Sequence, residues 1–447
     1  MEKRLELSRC KRIIQISSPL IIQGVVFQLQ SLTDKAFLGN LDTKYVSAAG
    51  TAQLPYNATA DSLVAISIGI TIIIARLFGA NQRKEMRKSV QSGIFYNTVI
   101  GAICFLFWQC LSEKILLFFQ LDPLLLKDSI SYIKICTFYF LLIGIDSTLH
   151  GYLQGIGNTK PIMYSGLIKV GLDILFSWIL IFGKLGFPAM YVQGAALGTL
   201  LANVISFLYI LIYCMFFKNK EYGFRKAGVE WFDLRSYLRM FRLGIPSGAE
   251  FLLWNVSNLV LIRFINGFSY QSMAIYTLTF GCQCIVYVTF SATSKATLTV
   301  MGHLIGARRE KEVDQTFFSC IFLNFLIVAI AALIFMFFPK VLLDIFSDDA
   351  QVINHGVPYL IFLAFIMFPQ SMNVLCGNGI KAKGDTRWML ISQSIGSSVV
   401  VVTSYVLIEV FGLNMIAIYI TLFMDESIRG LINFIHYRKL RYSYSIV

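Results

Sequence analysis

The sequence is poor in charged residues. Only 14% of its 447 residues are Asp, Glu, Lys or Arg, whereas 56% are hydrophobic. A water-soluble domain carries about 25% charged residues. With a mean hydropathy of +0.68, the composition excludes an ordinary soluble protein and predicts a polytopic membrane protein.

Recognisable sites for nucleotides, metals and disulfide bonds are also missing. No glycine-rich phosphate loop ending in Gly-Lys-Ser or Gly-Lys-Thr occurs, which excludes ATP-driven pumping by this chain alone. There are only four His and no HExxH spacing, and the nine Cys lie mostly in apolar runs without paired spacing. We therefore expect no metal, no cofactor and no disulfide framework, with the Cys serving as small hydrophobic residues.

Polar loops long enough to hold a catalytic site are absent from the sequence as well. An integral-membrane transferase would need such loops at one face of the membrane, so we expect that the chain is not an enzyme. A sensor or a scaffold is disfavoured because little of the chain remains for a soluble output domain.

Apolar runs long enough to cross a bilayer fill nearly the whole chain. A crossing helix needs about 20 apolar residues at a rise of about 1.5 Å per residue. The predicted segments are 14–38, 47–75, 91–119, 129–153, 161–183, 190–217, 241–264, 273–300, 316–338, 354–379, 387–411 and 413–436. The predicted fold is therefore an all-α polytopic membrane protein with twelve transmembrane helices.

The chain has a net charge of +13, and its basic residues are concentrated in alternate loops. Basic residues cluster before segment 1, in the loops after segments 2, 6, 8 and 10, and in the tail, whereas the alternate loops carry none to two. Because positively charged loops stay in the cytoplasm, this alternation places both termini there. It indicates topology and implies no nucleic-acid partner.

The start, MEKRLELSRCKR, runs into segment 1 without a small-residue cleavage site, so we expect no removable signal peptide.

The chain repeats itself at one spacing. Three pairs of residues in similar surroundings are each 227 positions apart, as in 246 − 19: Pro19 and Pro246, Gly79 and Gly306, Gly157 and Gly384. With six crossings per repeat, both repeats enter the membrane from the same side. This predicts two parallel six-helix lobes, related by an axis along the membrane normal, around a central substrate cavity.

The repeat also sets the predicted domain bounds. We expect an N-lobe over residues 1–217 with segments 1–6, a cytoplasmic linker over 218–239, and a C-lobe over 240–447 with segments 7–12.

Several motifs together resemble the multidrug and toxin extrusion (MATE) family of transporters. They are DKAFLGNL, IARLFGA, LQGIGNTKP, LDILFSWILIFG and VQGAALGTLLAN in the first repeat, and MGHLIGA and KAKGDTR in the second. The resemblance implies an antiporter that expels a substrate as H⁺ or Na⁺ runs inward through a V-shaped pair of lobes. An Asp in segment 1 together with one in segment 5 is similar to the DNA-damage-inducible-protein-F branch.

Charged residues within the apolar segments are the candidate functional residues, because a charge at the bilayer centre costs about 2.5–3.5 kcal/mol. The resemblance places the cation-coupling carboxylates at Asp34 and Asp173, where Na⁺ is a possible alternative to H⁺. Lys169 stands where the family usually has Asn, one turn before Asp173 on the same helical face. It is a counter-ion, a proton-linked switch or an anchor for an anionic substrate group.

Other candidates for the substrate cavity of the first lobe are Asp146, Thr199 and Asn203. Asp146 and His150 form a second pair four residues apart, which is either a structural hydrogen bond or a proton relay, since His titrates near neutrality. Thr199 and Asn203 suit substrate or Na⁺ coordination, although such residues often serve helix packing in membranes.

The second repeat does not carry the same charges. At the spacing of 227, Asp34 aligns with Leu261, Asp173 with Val400 and Lys169 with Gly396. The C-lobe has Glu250 and Lys295 instead, either as an interhelical ion pair or as cavity residues. Asp425, Glu426 and Arg429 are predicted to form a structural cluster in segment 12.

These features together predict a cation-coupled multidrug efflux antiporter in the bacterial plasma membrane. It is expected to act as a monomer on small amphipathic organic compounds, surrounded by lipid. The family resemblance implies organic cations as substrates, whereas the positive charges of Lys169 and Lys295 would equally accommodate zwitterions or anions. The alternative is a flippase for lipids or lipid-linked oligosaccharides of the same superfamily. The two lysines favour the flippase, whereas the twelve segments and the motif set disfavour it.

Overall fold

The computed structural model is built from helices joined by short connections. It describes residues 2–39, 43–118, 123–217, 229–268, 270–346 and 349–440. The α-helices in these ranges are α1 (Glu2–Gly39), α2 (Thr43–Ile66), α3 (Ile68–Gly79), α4 (Arg83–Phe118), α5 (Pro123–Cys136), α6 (Phe140–Gly155), α7 (Lys160–Phe182), α8 (Tyr191–Ile212), α9 (Leu234–Asn266), α10 (Tyr270–Gly306), α11 (Glu310–Phe337), α12 (Pro339–Asp344), α13 (Ala350–Lys383), α14 (Thr386–Tyr405) and α15 (Ile416–Lys439). Short 3₁₀ turns (Thr137–Tyr139, Val229–Phe232) and π turns (Tyr213–Phe217, Val406–Val410) extend them. The predicted all-α fold is confirmed.

Eleven stretches within the described ranges are long and apolar enough to cross a membrane. They coincide with predicted segments 1–11. The last helix, α15, has 24 residues and is not among these stretches; it carries the charged residues Asp425, Glu426 and Arg429 at its middle. It occupies the place of predicted segment 12.

Two predicted segments are each built from more than one helix. Segment 2 is divided at Ser67 into α2 and α3, and segment 4 consists of α5, a 3₁₀ turn and α6. At the first break α9 crosses very closely, because a Cβ at Gly69 would collide with the Met240 carbonyl oxygen and one at Gly244 with that of Ile66. Small residues allow such backbone approach between membrane helices.

By their internal contacts the described residues group into two units. One comprises residues 22–248, and the other comprises residues 1–21 with 249–447. Helices α1 and α9 therefore each contribute to both units.

The bounds of the predicted lobes follow the sequence repeat and differ from this grouping by contact. They stay a prediction. Of the predicted linker 218–239, residues 218–228 lie outside the part of the chain that the structure describes.

In the unit 22–248, α7 and α8 form a tightly packed hairpin. A Cβ at Gly194 would lie 2.6 Å from the Leu180 carbonyl carbon, and one at Gly198 would lie 2.6 Å from Ser177 Oγ. This close approach brings the next residue of α8, Thr199, against the buried polar face of α7.

In the other unit, the core is formed mainly by α10, α13 and α15, with fully buried Phe290, Leu363 and Tyr419. Two helix starts are capped: Asp349 accepts from the backbone of α13, and Asp385 accepts from Trp388 N of α14. N-caps of this kind satisfy backbone N–H groups that have no partner within the helix.

Candidate functional site

Asp173 is a fully buried carboxylate in the middle of α7. Gln30 of α1 donates a hydrogen bond from Nε2 to its Oδ2. The hydroxyl groups of Thr199 and Ser177 lie beside the carboxyl group. Within the described ranges, Asp173 Oδ1 and Ser177 Oγ have no hydrogen-bond partner. A buried acceptor without a donor is costly, so this position suits a bound cation or proton.

Lys169 lies one helical turn before Asp173 and is half-buried. Its Nζ sits over the Phe27 ring, 5.1 Å from the ring centroid. Its charge acts on Asp173, on Asp146 and on the exposed Asp61 of α2. The Lys169 charge is thus within electrostatic range of carboxylates on three helices, a grouping that the one-turn spacing of Lys169 and Asp173 did not indicate.

Asp146 and His150 form a pair on α6, with the His150 Nδ1 3.3 Å from Asp146 Oδ1. Tyr139 donates from its hydroxyl group to Asp146 Oδ2 over 2.5 Å. His150 Nε2 lies 3.3 Å from Ser165 Oγ of α7. The pair predicted from the sequence is therefore part of a larger hydrogen-bonded group that spans two helices.

Two residues predicted for the site in the first lobe, Asp34 and Asn203, are not among the described contacts of Asp173, Lys169 and Asp146. Asp34 belongs to α1, but its side chain lies outside the described residues, so its predicted pairing with Asp173 stays a prediction. Asn203 is buried on α8, one turn after Thr199.

In the other unit, Glu250 of α9 forms an ion pair with Lys381, whose Nζ lies 2.8 Å from Oε2. The sequence suggested Lys295 as the partner. Lys295 lies exposed on α10, where the charge of Lys381 acts on it. The predicted segment 10 ends at residue 379 and leaves Lys381 in the basic loop after it, but α13 continues to Lys383 and places Lys381 in its last turn.

The predicted cluster on α15 is confirmed as a buried network. Arg429 donates two hydrogen bonds to Asp425, of 2.7 Å from Nε and 2.5 Å from Nη2. Its Nη2 lies 3.5 Å from Glu426 Oε1. Glu426 also accepts from Asn373 at 2.7 Å and from Gln370 at 3.3 Å. The network thus ties α15 to α13.

Gly396 of α14 makes room for this network. A Cβ at Gly396 would lie 2.5 Å from both Cδ and Nε of Arg429 and would collide with Asp425 Oδ1. This close contact explains why the smallest residue occupies a position whose counterpart in the first repeat is Lys169.

A charged contact joins the residue before α9 to α4. Asp233 accepts from the backbone of Arg235 at 3.1 Å, and its Oδ2 lies 2.6 Å from Lys88 Nζ of α4. Partial burial raises the pKa of Asp233, but the hydrogen bonds from Lys88 and Ser236 outweigh it and lower that pKa to about 2.

A model of the MatE family matches the chain twice, at residues 19–179 and 246–406. The matches begin 227 residues apart (246 − 19) and end 227 residues apart (406 − 179). This is the spacing of the duplication inferred from Pro19 and Pro246, which is thereby confirmed.

Similar proteins cover nearly the whole chain. The probable multidrug resistance protein NorM of Thermotoga maritima is 24% identical over 424 residues, 94% of this chain and 90% of that protein. The crystal structure of a MATE in complex with MaD3S has a TM-score of 0.87 at 19% identity and covers 96% of both chains. A MOP superfamily transporter of Pyrococcus furiosus has a TM-score of 0.87 at 20% identity over 96% of this chain and 95% of that one. Its binding pocket is described as having reverse polarity that suggests a different function.

Proposed function

Because this chain belongs to the MatE family of transporters, we propose that it is a secondary active efflux transporter of the bacterial plasma membrane. Amphipathic organic compounds leave the cell as H⁺ or Na⁺ enters. Both termini lie in the cytoplasm, the protein acts as a monomer in lipid, and no cofactor takes part other than the transported cation.

The observation that carries the proposal is the environment of Asp173. This carboxylate is fully buried in a membrane-spanning helix. Gln30 donates to its Oδ2, the hydroxyl groups of Thr199 and Ser177 lie beside it, and its Oδ1 has no hydrogen-bond partner among the described residues. A charge in that position costs about 2.5–3.5 kcal/mol on insertion scales. Binding H⁺ or Na⁺ removes that cost, so the occupied and empty states favour different surroundings. Asp34 joins Asp173 in this role.

Secondary transport needs such a difference between the cation-occupied and the empty state of the transporter. A ligand shifts a conformational equilibrium by its differential affinity for the two states. If the cation and the drug favour opposite states of the transporter, the inward cation gradient drives the drug out. Thr199 of α8 lies beside Asp173, and Asn203, one turn further along α8, is the remaining polar residue proposed for this cavity.

The relatives support small organic substrates. The Thermotoga protein is named a probable multidrug resistance protein, and a MATE structure contains a bound compound. Glu250 and Lys295 are the cavity residues of the other unit in this proposal.

A second candidate, export of anionic compounds or lipid-linked substrates, is favoured by Lys295. Lys295 is an exposed residue of a membrane-spanning helix, and the positive charge of Lys381 acts on it. A charge exposed at this depth normally faces water or a ligand. The relative with reverse pocket polarity is consistent with such a variation within the superfamily.

The test of coupling is transport of ethidium in everted membrane vesicles with an imposed pH or Na⁺ gradient. We expect gradient-driven uptake by the wild type and a loss of about tenfold, or about 1.4 kcal/mol, in Asp173→Asn and Asp34→Asn. Asp344→Asn, at an exposed acid that ends α12, is the matched control. Full gradient-driven transport by Asp34→Asn would contradict the coupling proposal.

Substrate charge is tested in the same vesicles with fluorescein as an anionic probe. The second candidate predicts fluorescein transport that falls about tenfold in Lys295→Gln. The control is Lys340→Gln, at an exposed lysine in α12. Transport of ethidium alone, unchanged in Lys295→Gln, would exclude the second candidate.

A further inference from the structure

The hydrogen-bond partners of His150 define where its protons lie. Nδ1 is 2.9 Å from the Asp146 backbone oxygen and 3.3 Å from the Asp146 carboxylate oxygen Oδ1. Both of these atoms accept hydrogen bonds and neither can donate. Nδ1 therefore carries a hydrogen.

The other ring nitrogen faces a hydroxyl group that already has an acceptor. Ser165 Oγ lies 3.3 Å from His150 Nε2 and 2.8 Å from the Ile162 carbonyl oxygen. A serine hydroxyl has one hydrogen to donate. When Ser165 donates to Ile162, Nε2 must donate to Ser165, and His150 is then a positively charged imidazolium ion.

The neutral form of His150 fits the same arrangement. If the Ser165 hydroxyl rotates and donates to Nε2, His150 keeps only the Nδ1 hydrogen. Rotation of one hydroxyl group thus accommodates both protonation states. Ser165 itself is held in place, because Ser206 of α8 donates to its backbone oxygen over 2.9 Å.

Charged and titratable groups from three helices act on this pair directly or through its neighbours. On its own helix, Asp146 is the partner, and the 3₁₀ turn adds Tyr139. From α7, the Lys169 charge acts on both Asp146 and His150. From α2, Asp61 interacts with Lys169 and Tyr56 with Tyr139.

We propose that His150 and Asp146 form a proton-binding site separate from Asp34 and Asp173, in which the imidazolium and the Lys169 ammonium share Asp146 as a counter-ion. A hydronium ion transfers its proton to Nε2, so that one of its O–H bonds breaks, an N–H bond forms and water leaves. The Ser165 O–H bond stays intact and rotates, so that its hydrogen bond changes from Nε2 to the Ile162 oxygen. The His150 side chain is 25% exposed, so water can deliver the proton.

The site gives Lys169 a function. While His150 is neutral, Asp146 is available to the ammonium group. When His150 is protonated, two positive charges compete for one carboxylate, and Lys169 is released toward Asp173 and Asp61. This role in coupling rests on the proposed transport function, and it makes H⁺ a driving cation.

Nitrogen NMR of the full chain in lipid nanodiscs tests the site directly. The chain has only four His, so ¹⁵N-histidine labelling gives few signals. We expect one histidine to exchange between a neutral Nδ1–H form and the imidazolium ion between pH 5 and 8, and its signals to vanish in His150→Gln. The control is His355→Gln, because exposed His355 makes the same backbone contact, with Nδ1 2.8 Å from the Gln351 oxygen.

Because Asp146 is the proposed counter-ion of both His150 and Lys169, we expect opposite effects when Asp146 or Lys169 is replaced. In Asp146→Asn the ratio of charged to neutral His150 at pH 6.5 falls at least about tenfold, whereas in Lys169→Met it rises. A wild-type His150 that stays neutral from pH 5 to 8, or a ratio unchanged by Asp146→Asn, would overturn the proposal.

The transport role is decided separately. The pH dependence of ethidium uptake in vesicles is expected to change in His150→Gln but not in His355→Gln, and an unchanged profile would overturn the role of His150 in coupling. Wild-type protein that fails to transport ethidium under either gradient contradicts the proposed function, while the NMR titration still decides the proton site.

Discussion

Lys381 and Glu250 form an ion pair across 131 residues of sequence (381 − 250), with the Lys381 Nζ 2.8 Å from Glu250 Oε2. The two side chains are 12% and 18% exposed. Two largely buried charges of opposite sign therefore hold the last turn of α13 against α9. The pair fixes the part of the molecule that also presents Lys295.

Glu250→Gln is expected to destabilise the protein by about 3–5 kcal/mol, because it leaves the Lys381 charge buried without its partner. Unfolding of purified protein in detergent measures the loss. Glu250→Gln combined with Lys381→Met removes both charges and should recover part of the stability. A single variant that unfolds like the wild type would mean that the pair contributes nothing.

Gly396→Ala is expected to cost about 1–3 kcal/mol by overpacking, since the new methyl group would press on the Arg429 side chain. The matched control is Gly171→Ala on α7, where a Cβ meets no atom within 4 Å. That control is expected to be neutral or to stabilise by about 0.5–1 kcal/mol, as Ala replaces Gly in a helix. Equal melting temperatures for the two variants would contradict the expected cost of placing a methyl group at Gly396.

The Asp233 contact is expected to depend on acidity. Its pKa is lowered to about 2 in the folded protein, from 3.8. The folded state therefore prefers the charged carboxylate, and the added stability is fully present above about pH 4 and disappears as the pH falls toward 2. Asp233→Asn should lower the melting temperature at pH 7 and make little difference near pH 2.5. A difference that is constant over this range would show that the charge is irrelevant.

The alternation of basic loops predicts which loops lie in the cytoplasm and which lie outside, and fusions to reporter proteins can measure this. Green fluorescent protein joined after Leu440 should fluoresce, because the positive-inside pattern keeps that end in the cytoplasm. Alkaline phosphatase joined after Phe187, in the poorly charged loop between α7 and α8, should be active on the outside. Activity in the opposite pattern would invert the topology.

The fold was predictable because its signals are local or periodic. Apolar runs set the crossing segments, and the spacing of 227 between Pro19 and Pro246 indicated the duplication. The cluster on α15 was also visible, since residues three and four apart on a helix are neighbours. Each of these inferences needs only residues on one helix or a comparison of two stretches.

The contacts of the site were less predictable because they join distant helices. Lys381 was read as a loop residue, since polarity near a helix end does not reveal that the helix continues and buries it. Gly244 of α9 packs against Ile66, next to the break at Ser67, and the second partner of His150 is a serine on another helix. No pattern within a single helix contains that information.

Comparison of the two repeats by position alone suggested that the second had lost its basic residue, since Gly396 stands where Lys169 does in the first. The geometry gives a different account. Nε and Cδ of Arg429 lie directly above Gly396, beside Asp425 and Glu426. The positive charge of the second repeat thus enters the same place from the neighbouring helix. In each repeat a positive charge therefore lies at this position: Lys169 carries it in the first repeat, and Arg429, from the neighbouring helix, carries it in the second.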